Sequence, residues 1–233
     1  MNPNDPNVAL IETVAAALGS LMDRLVIVGG CAAGLLITDP AQPPVRPTND
    51  VDGVVEAASL VEYYAVEGEF EALGIPRDAS DGAPICRWRV AGVAFDLMPM
   101  SESVLGFSNP WYPVAVATAH RTELPSGATI RLIAAPAFVA TKLVAFESRG
   151  SRDFMASHDL EDIIAVVDGR IELFDELNAA DSELRGFVSS SFRELLKERR
   201  FRDSISGHLP PDAASQARLP ALLTLVERIA DLA

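Results

Sequence analysis

The stretch Arg24-Leu25-Val26-Ile27-Val28-Gly29-Gly30-Cys31 decides how the chain is read. Four apolar residues, three of them β-branched, run into a glycine pair. That pattern predicts a buried strand ending in a tight turn. Beyond the turn, Cys31 to Ile37 is small and apolar and predicts a helix. Glycine at such a turn lets backbone N–H groups approach a phosphate closely, and the following helix offers its positive end. A Gly-Gly turn is by itself a common feature.

The downstream sequence gives the pattern weight. A Pro-rich loop (Pro40, Pro43, Pro44, Pro47) leads into Thr48-Asn49 and then Asp50-Val51-Asp52-Gly53-Val54-Val55-Glu56, which alternates over its first half as a strand with one wet face does. Asp50 and Asp52 then point to the same side. Two such carboxylates repel unless a cation lies between them, and hard oxygen ligands suit Mg²⁺. The competing reading is a solvated strand end. A third carboxylate, Asp96, interrupts the apolar run Val93-Ala94-Phe95-Asp96-Leu97-Met98. A buried lone aspartate is costly, so Asp96 sits at a wet strand end or faces a metal or a reacting hydroxyl. Cys86–Val90 and Val93–Met98 flank Ala91-Gly92 and predict a hairpin.

Outward from this centre, Asn7–Leu21 reads as an amphipathic helix and Leu60–Leu73 as a helix stopping at Gly74. Val114–Ala119 and Thr129–Ala134 read as strands about a Pro125-Ser126-Gly127 turn. From Ala135 on, helical periods dominate, with starts at Pro136, Ser157, Ile171, Ser182 and Asp212. The expected class is α+β (α/β): a mixed sheet with flanking helices over residues 1–135, then a helical domain over residues 136–233 packed against it.

Composition sets the outer bounds. With 233 residues, 49% of them hydrophobic, the chain has ample material for a core and is not disordered. Two cysteines, Cys31 and Cys86, cannot build a disulfide scaffold. A net charge of −14 argues against a broadly basic DNA-coating protein, and no DNA partner is expected. The N-terminal residues carry no basic stretch of a secretory signal, and Val26–Ile37 is too short to span a bilayer. A soluble cytoplasmic protein with reduced cysteines is expected.

Gly29-Gly30, then Asp50-x-Asp52, then Asp96 on a later strand resembles the DNA polymerase β-type nucleotidyltransferase superfamily. The Thr48-x-Asp50-x-Asp52 form is similar to its AbiEii-like branch, which includes toxins of bacterial toxin–antitoxin and phage-defence systems. Lys142-Leu143-Val144-Ala145-Phe146 and His158-Asp159-Leu160-Glu161-Asp162-Ile163 fall where that branch has a Lys helix and an Asp-Leu-x-Asp-Ile-type helix. The resemblance covers roughly residues 24 to 168. It implies that an NTP is the substrate and that Asp50, Asp52 and Asp96 hold Mg²⁺ (or Mn²⁺). Gly29, Gly30, Cys31 and Thr48 would line the nucleotide. Lys142 would reach a phosphate, with Arg149 and Arg152 adding charge, and Asp159 would place Lys142 or touch the nucleotide. Cys31 stands where many members have Ser or Thr, and the long Gly30–Asp50 loop departs from the pattern.

The resemblance implies transfer of an NMP to an acceptor hydroxyl. The acceptor stays open: an RNA such as a tRNA 3′ end, in a toxin role with a possible cognate antitoxin, a small cationic molecule as in aminoglycoside-type nucleotidyltransferases, or a protein hydroxyl. A non-catalytic nucleotide-binding protein on the same scaffold is the rival from another class. From Arg185 to Arg202, six basic residues (Arg185, Arg193, Lys197, Arg199, Arg200, Arg202) stand against Glu194 and Glu198. That helix either grips RNA phosphates or is an ordinary solvated face. Trp88 and Trp111 are core or base-stacking, Arg87 and Arg89 meet phosphate or solvent, and Lys142, without the resemblance, is a snorkelling surface lysine. His120 and His208 receive no role.

Overall fold

The computed structural model describes residues 5–57, 59–149 and 153–232. In chain order the elements are α1 (Val8–Leu18), β1 (Leu25–Val28), α2 (Ala33–Leu36), β2 (Asp50–Val55), α3 (Leu60–Ala72), β3 (Arg87–Val90), β4 (Val93–Pro99), α4 (Glu102–Leu105) and α5 (Tyr112–Thr118), then β5 (His120–Glu123), β6 (Thr129–Leu132), α6 (Ala135–Ser148), α7 (His158–Gly169), α8 (Leu173–Ala179), α9 (Ser182–Lys197), α10 (Arg199–Ser204), α11 (Ala213–Ala217) and α12 (Leu219–Ala230). This is the expected α+β class, with all six strands before Ala135 and only helices after it. The described chain forms two compact units, one of residues 5–32 and 46–134, the other of residues 33–45 and 135–232.

The first unit is built on a six-stranded mixed sheet in the order β3-β4-β2-β1-β6-β5. β2 and β4 run parallel, as do β1 and β6, while β1–β2, β3–β4 and β5–β6 are antiparallel. β1 is buried at all four positions, as its β-branched run requires of a central strand. The β3–β4 hairpin turns on Ala91 (φ 48°) and Gly92 (φ 86°), the two left-handed positions of a primed two-residue turn. α3 lays Phe70 against Trp88 and Phe95 on one face of the sheet, with ring centroids 5.1 and 5.8 Å apart. The Tyr63 hydroxyl in α3 donates to the Leu97 carbonyl at 2.8 Å. Phe95 fills the space that Gly53 leaves open.

The second unit is helical. α6 packs on α7 and α9, and α12 on α9, around buried Phe138, Leu143, Ile163, Val167, Val188 and Val226. Residues 33–45 are bound into it. The N–H groups of Thr38 and Asp39 both donate to the Gly169 carbonyl, Arg170 Nη1 donates to the Leu36 carbonyl at 2.7 Å, and Gly169 lies flush against Ile37.

Several expectations need correction. Residues 114–119 are not a strand: residues 114–118 lie in α5, Ala119 follows its end, and β5 begins only at His120. Trp111, Ala115 and Val116 are buried while Ala117 and Thr118 are exposed, a helical spacing that Pro113 in the first turn supports. Two valines favour a strand locally, and tertiary packing overrides that weak preference. The first helix ends at Leu18 and continues as a 3₁₀ stretch over Gly19–Arg24. The Cys31–Ile37 helix is a 3₁₀ turn over Gly30–Ala32 followed by the single-turn α2. No helix among the described residues is long and apolar enough to cross a membrane.

Candidate active site

Register across the sheet assembles the site. Arg87 on β3 stands opposite Asp96 on β4, Asp96 stands opposite Asp52 on β2, and Asp52 stands opposite Val28 on β1. Four adjacent strands thus contribute one row, and Asp50, two residues before Asp52, shares its face. The three aspartates proposed from the sequence lie on one side of one sheet.

The end of β1 closes on this row. Gly29 adopts φ +68°, a left-handed conformation that glycine takes without cost. A Cβ atom there would lie 1.9 Å from Asp52 Oδ2. The Gly29 backbone is therefore pressed against the Asp52 carboxylate, and no side chain fits between them. Gly30 and Cys31 are buried, and the Cys31 thiol donates to the Val28 carbonyl at 3.3 Å. The thiol is directed at its own backbone, as a packed core cysteine is.

Thr48 enters β2 through a clamp that the sequence did not suggest. Its N–H donates to Asn7 Oδ1 at 2.8 Å, Asn7 Nδ2 donates to the Arg46 carbonyl at 3.1 Å, and the Thr48 hydroxyl donates to the Asp50 carbonyl at 3.1 Å. Asn7 is fully buried. A polar residue just before an apolar helix ordinarily reads as a cap, so nothing local marked it as a brace for β2.

Arg87, read from the sequence as meeting phosphate or solvent, meets carboxylates instead. Its Nε donates to Asp96 Oδ1 at 2.7 Å, and its Nη2 donates both to Asp96 Oδ2 and to Asp50 Oδ2 at 2.8 Å. The fork on Asp96 is the bidentate geometry that makes Arg–carboxylate pairs strong. Hydrogen bonding to Asp96, outweighing partial burial, raises the guanidinium pKa above its ordinary value, with the Asp96, Asp50 and Asp52 charges adding to the effect. Next to it, burial and then the Asp96 charge push the Cys86 thiol up to about 12. A signal for Arg87 existed: a two-residue turn at Ala91-Gly92 pairs Val90 with Val93, and counting outward pairs Arg87 with Asp96. Arg89, on the same strand, pairs with Asp78 at 2.8 Å.

No group of three or more His, Cys, Asp or Glu among the described residues stands ready to hold a metal ion. The donor chemistry suits a small hard divalent cation all the same. Asp50, Asp52 and Asp96 supply carboxylate oxygens from neighbouring strands, and two of the three already share one positive charge, that of Arg87.

Lys142, Arg149 and Asp159 form a cluster within the helical unit. Lys142 does not snorkel; it is buried, with Nζ 3.0 Å from Asp159 Oδ1 and 2.8 Å from Asp162 Oδ2. Burial works to lower its pKa, but the Asp162 and Asp159 charges outweigh burial and hold it above the ordinary lysine value. Exposed Arg149 takes the other Asp159 oxygen at 3.0 Å. Ser157 caps α7 by accepting from the Leu160 N–H, so Asp159 is not needed as the cap. Arg152 lies outside the described residues. Trp88 and Trp111 are both buried in the sheet unit, which leaves neither ring face open for a base.

The basic stretch is engaged with its own chain. Arg185 donates to the Asn178 and Ala180 carbonyls, Arg193 to the Ala230 carbonyl, and Arg202 to the Leu196 carbonyl. Lys197 pairs with Glu194, Arg199 pairs with Asp203, and Arg200 lies over the Phe154 ring. Arg193, Lys197 and Arg202 share an open cleft with Glu227 and Asp231, so its charge is mixed.

No protein-family model matches the chain, and no curated protein matches its sequence. Distant likenesses occur among solved structures. The solution structure of the antibiotic-resistance factor ANT(2'')-Ia matches over 82% of this chain and 92% of its own, at 15% identity and a TM-score of 0.46. The crystal structure of JHP933 from Helicobacter pylori matches over 96% and 93%, at 12% identity and a TM-score of 0.45. A crystal structure of a candidate nucleotidyltransferase from H. pylori matches over 97% and 95%, at 12% and 0.43. Likenesses this distant transfer neither a residue role nor an activity.

Proposed function

We propose that the chain is a metal-dependent nucleotidyltransferase that moves an NMP from an NTP to an acceptor hydroxyl. The observation that carries this reading is the row Asp52–Asp96, with Asp50 on the same face and the Gly29 backbone pressed against Asp52. In the reaction the acceptor oxygen bonds to the α-phosphorus, the bond from that phosphorus to the α,β-bridging oxygen breaks, and pyrophosphate leaves. The Gly29-Gly30 turn gives the triphosphate an approach without side chains. Asp96, the most buried of the three carboxylates, is the group that takes the acceptor's proton. A bound Mg²⁺ or Mn²⁺, held by Asp50 and Asp52 with Asp96, would neutralise charge developing on the phosphate oxygens.

A small cationic acceptor fits the chain better than RNA does. The net charge of −14 attracts cations, and Arg185, Arg193, Lys197, Arg199 and Arg202 already bond to carbonyls or carboxylates of their own chain. An RNA 3′ end, in the toxin–antitoxin or phage-defence setting of the AbiEii-like branch, and a protein hydroxyl are outcomes that the same assay reads. Incubation with each α-labelled NTP, Mg²⁺ and either an aminoglycoside panel, total RNA or cell protein should label the first. The Asp52→Asn variant should abolish transfer. No labelling of any acceptor, or transfer that survives Asp52→Asn, overturns the reading.

A further inference from the structure

We infer that Arg87 is a resident counter-cation of the carboxylate row, which a divalent ion must displace from Asp50 and Asp96 before it can bind. The inference rests on the reading of this row as a metal site and adds a step to it. Three observations converge on Arg87. Its guanidinium bridges Asp50 on β2 and Asp96 on β4 with three hydrogen bonds of 2.7–2.8 Å. It engages both Asp96 oxygens and one Asp50 oxygen, the hard donors a divalent ion would need. Its backbone is also fixed, because the Arg87 N–H donates to the Pro84 carbonyl and the Arg87 carbonyl accepts from the Asp78 N–H. Only the side chain has freedom to leave.

The charge arithmetic gives the arrangement its consequence. Three clustered carboxylates repel one another, and one guanidinium relieves part of that repulsion, so the row is held together without an added ion. A divalent cation brings more charge to the same oxygens but cannot share all of them with the fork. Binding therefore includes the cost of parting Arg87 from Asp96, and the free guanidinium is then a planar bidentate donor suited to a phosphate. Metal alone should bind weakly.

The test is calorimetric titration of Mn²⁺ into the wild-type chain and into Arg87→Gln and Arg87→Lys. Arg87→Gln should bind Mn²⁺ on the order of tenfold more tightly, because a unit positive charge a few ångströms away is gone. Arg87→Lys should fall between the two, since it keeps the charge and loses the fork. Mn²⁺ should also raise the melting temperature of Arg87→Gln more than that of the wild type. Binding of equal or lower affinity in Arg87→Gln overturns the counter-cation role and leaves the metal site standing. No binding to any of the three chains overturns both the role and the metal-site reading. A readout on the wild type alone needs no folded variant: diamagnetic Mg²⁺ should shift the Arg87 Nε–H resonance. A resonance that stays fixed while backbone signals at Asp50 and Asp52 move overturns the displacement.

Discussion

Gly29 leaves no room for a side chain beside Asp52: a Cβ there would stand 1.9 Å from Asp52 Oδ2. Gly29→Ala must therefore move a carboxylate of the candidate site, and it also places alanine at φ +68°, a conformation costing roughly 1–2 kcal/mol. Displacements of this order at reacting groups lower rates by about 100-fold. We expect NMP transfer to fall by about that factor while the chain stays folded, read from initial rates and circular dichroism on the same sample. Transfer within threefold or so of wild type would show that Asp52 need not hold its place.

Lys142 offers a stability test independent of activity. Lys142→Met leaves Asp159 and Asp162 buried without their ammonium partner, and breaking a buried pair this way costs about 3–5 kcal/mol. Adding Asp159→Asn and Asp162→Asn should recover much of the loss. Because the folded-state pKa of Lys142 is raised, its contribution is fully present below the ordinary lysine value and declines only as pH rises through the higher folded value. The gap between wild type and Lys142→Met in urea unfolding should therefore persist to about pH 10. A gap that closes by neutral pH would contradict the paired geometry.

Asp5 should show the opposite pH behaviour to an ordinary carboxylate. Its Oδ2 is buried with no hydrogen-bond partner among the described residues, and burial raises its pKa despite the hydrogen bond its Oδ1 accepts from the Asn7 N–H. A raised folded-state value means the native chain takes up this proton more readily than the unfolded chain. The group's contribution to stability is then present at low pH and lost as pH rises through the folded value. Asp5→Asn, which cannot ionise, should be more stable than wild type at pH 7. That advantage should shrink as pH falls toward the ordinary aspartate value of 3.8. Denaturant melts at both ends of the range would reveal an advantage of the wrong sign.

The Asn7 clamp predicts a local effect. Asn7→Ala removes the acceptor for the buried Thr48 N–H and the donor to the Arg46 carbonyl. Leaving such groups unpaired costs about 1–3 kcal/mol each. Amide exchange at Thr48 should accelerate well beyond that at Val26 in β1. Equal acceleration at the two positions would mean that Asn7 serves the whole unit and not the entry to β2.

Much of the sheet is legible because its strands carry short-range signals: the β-branched run at Val26–Val28, the alternation from Asp50, and the two-residue turn at Ala91-Gly92. Asp50, Asp52 and Asp96 can be named from chemistry, since isolated carboxylates in apolar strands need a reason. What escapes depends on long-range pairing. Arg87 meets Asp50 across 37 positions and Asn7 meets Thr48 across 41, and nothing in these segments says that the two members of each pair meet. Lys142 reads as a surface residue because a lysine on an apolar stripe looks the same whether it snorkels or is buried with Asp159 and Asp162. Val114–Ala119 misleads for the reverse reason: a local preference is present, and packing in α5 outweighs it.

The insertion of residues 33–45 into the helical unit sets an order of assembly during synthesis. The chain leaves the sheet unit after Ala32 and returns at Arg46, yet Gln42 finds Asp168 only 126 positions later and Arg218 only 176 positions later. At ribosomal speeds of about 5–20 residues per second this loop waits many seconds, its polar groups open to water, until the last helices emerge. A nascent chain halted after Ala134 would hold β1 to β6 but not the partners of Thr38, Asp39 and Gln42. Neither unit can be separated by one cut, and a stable fragment would require a bridge from Ala32 directly to Arg46.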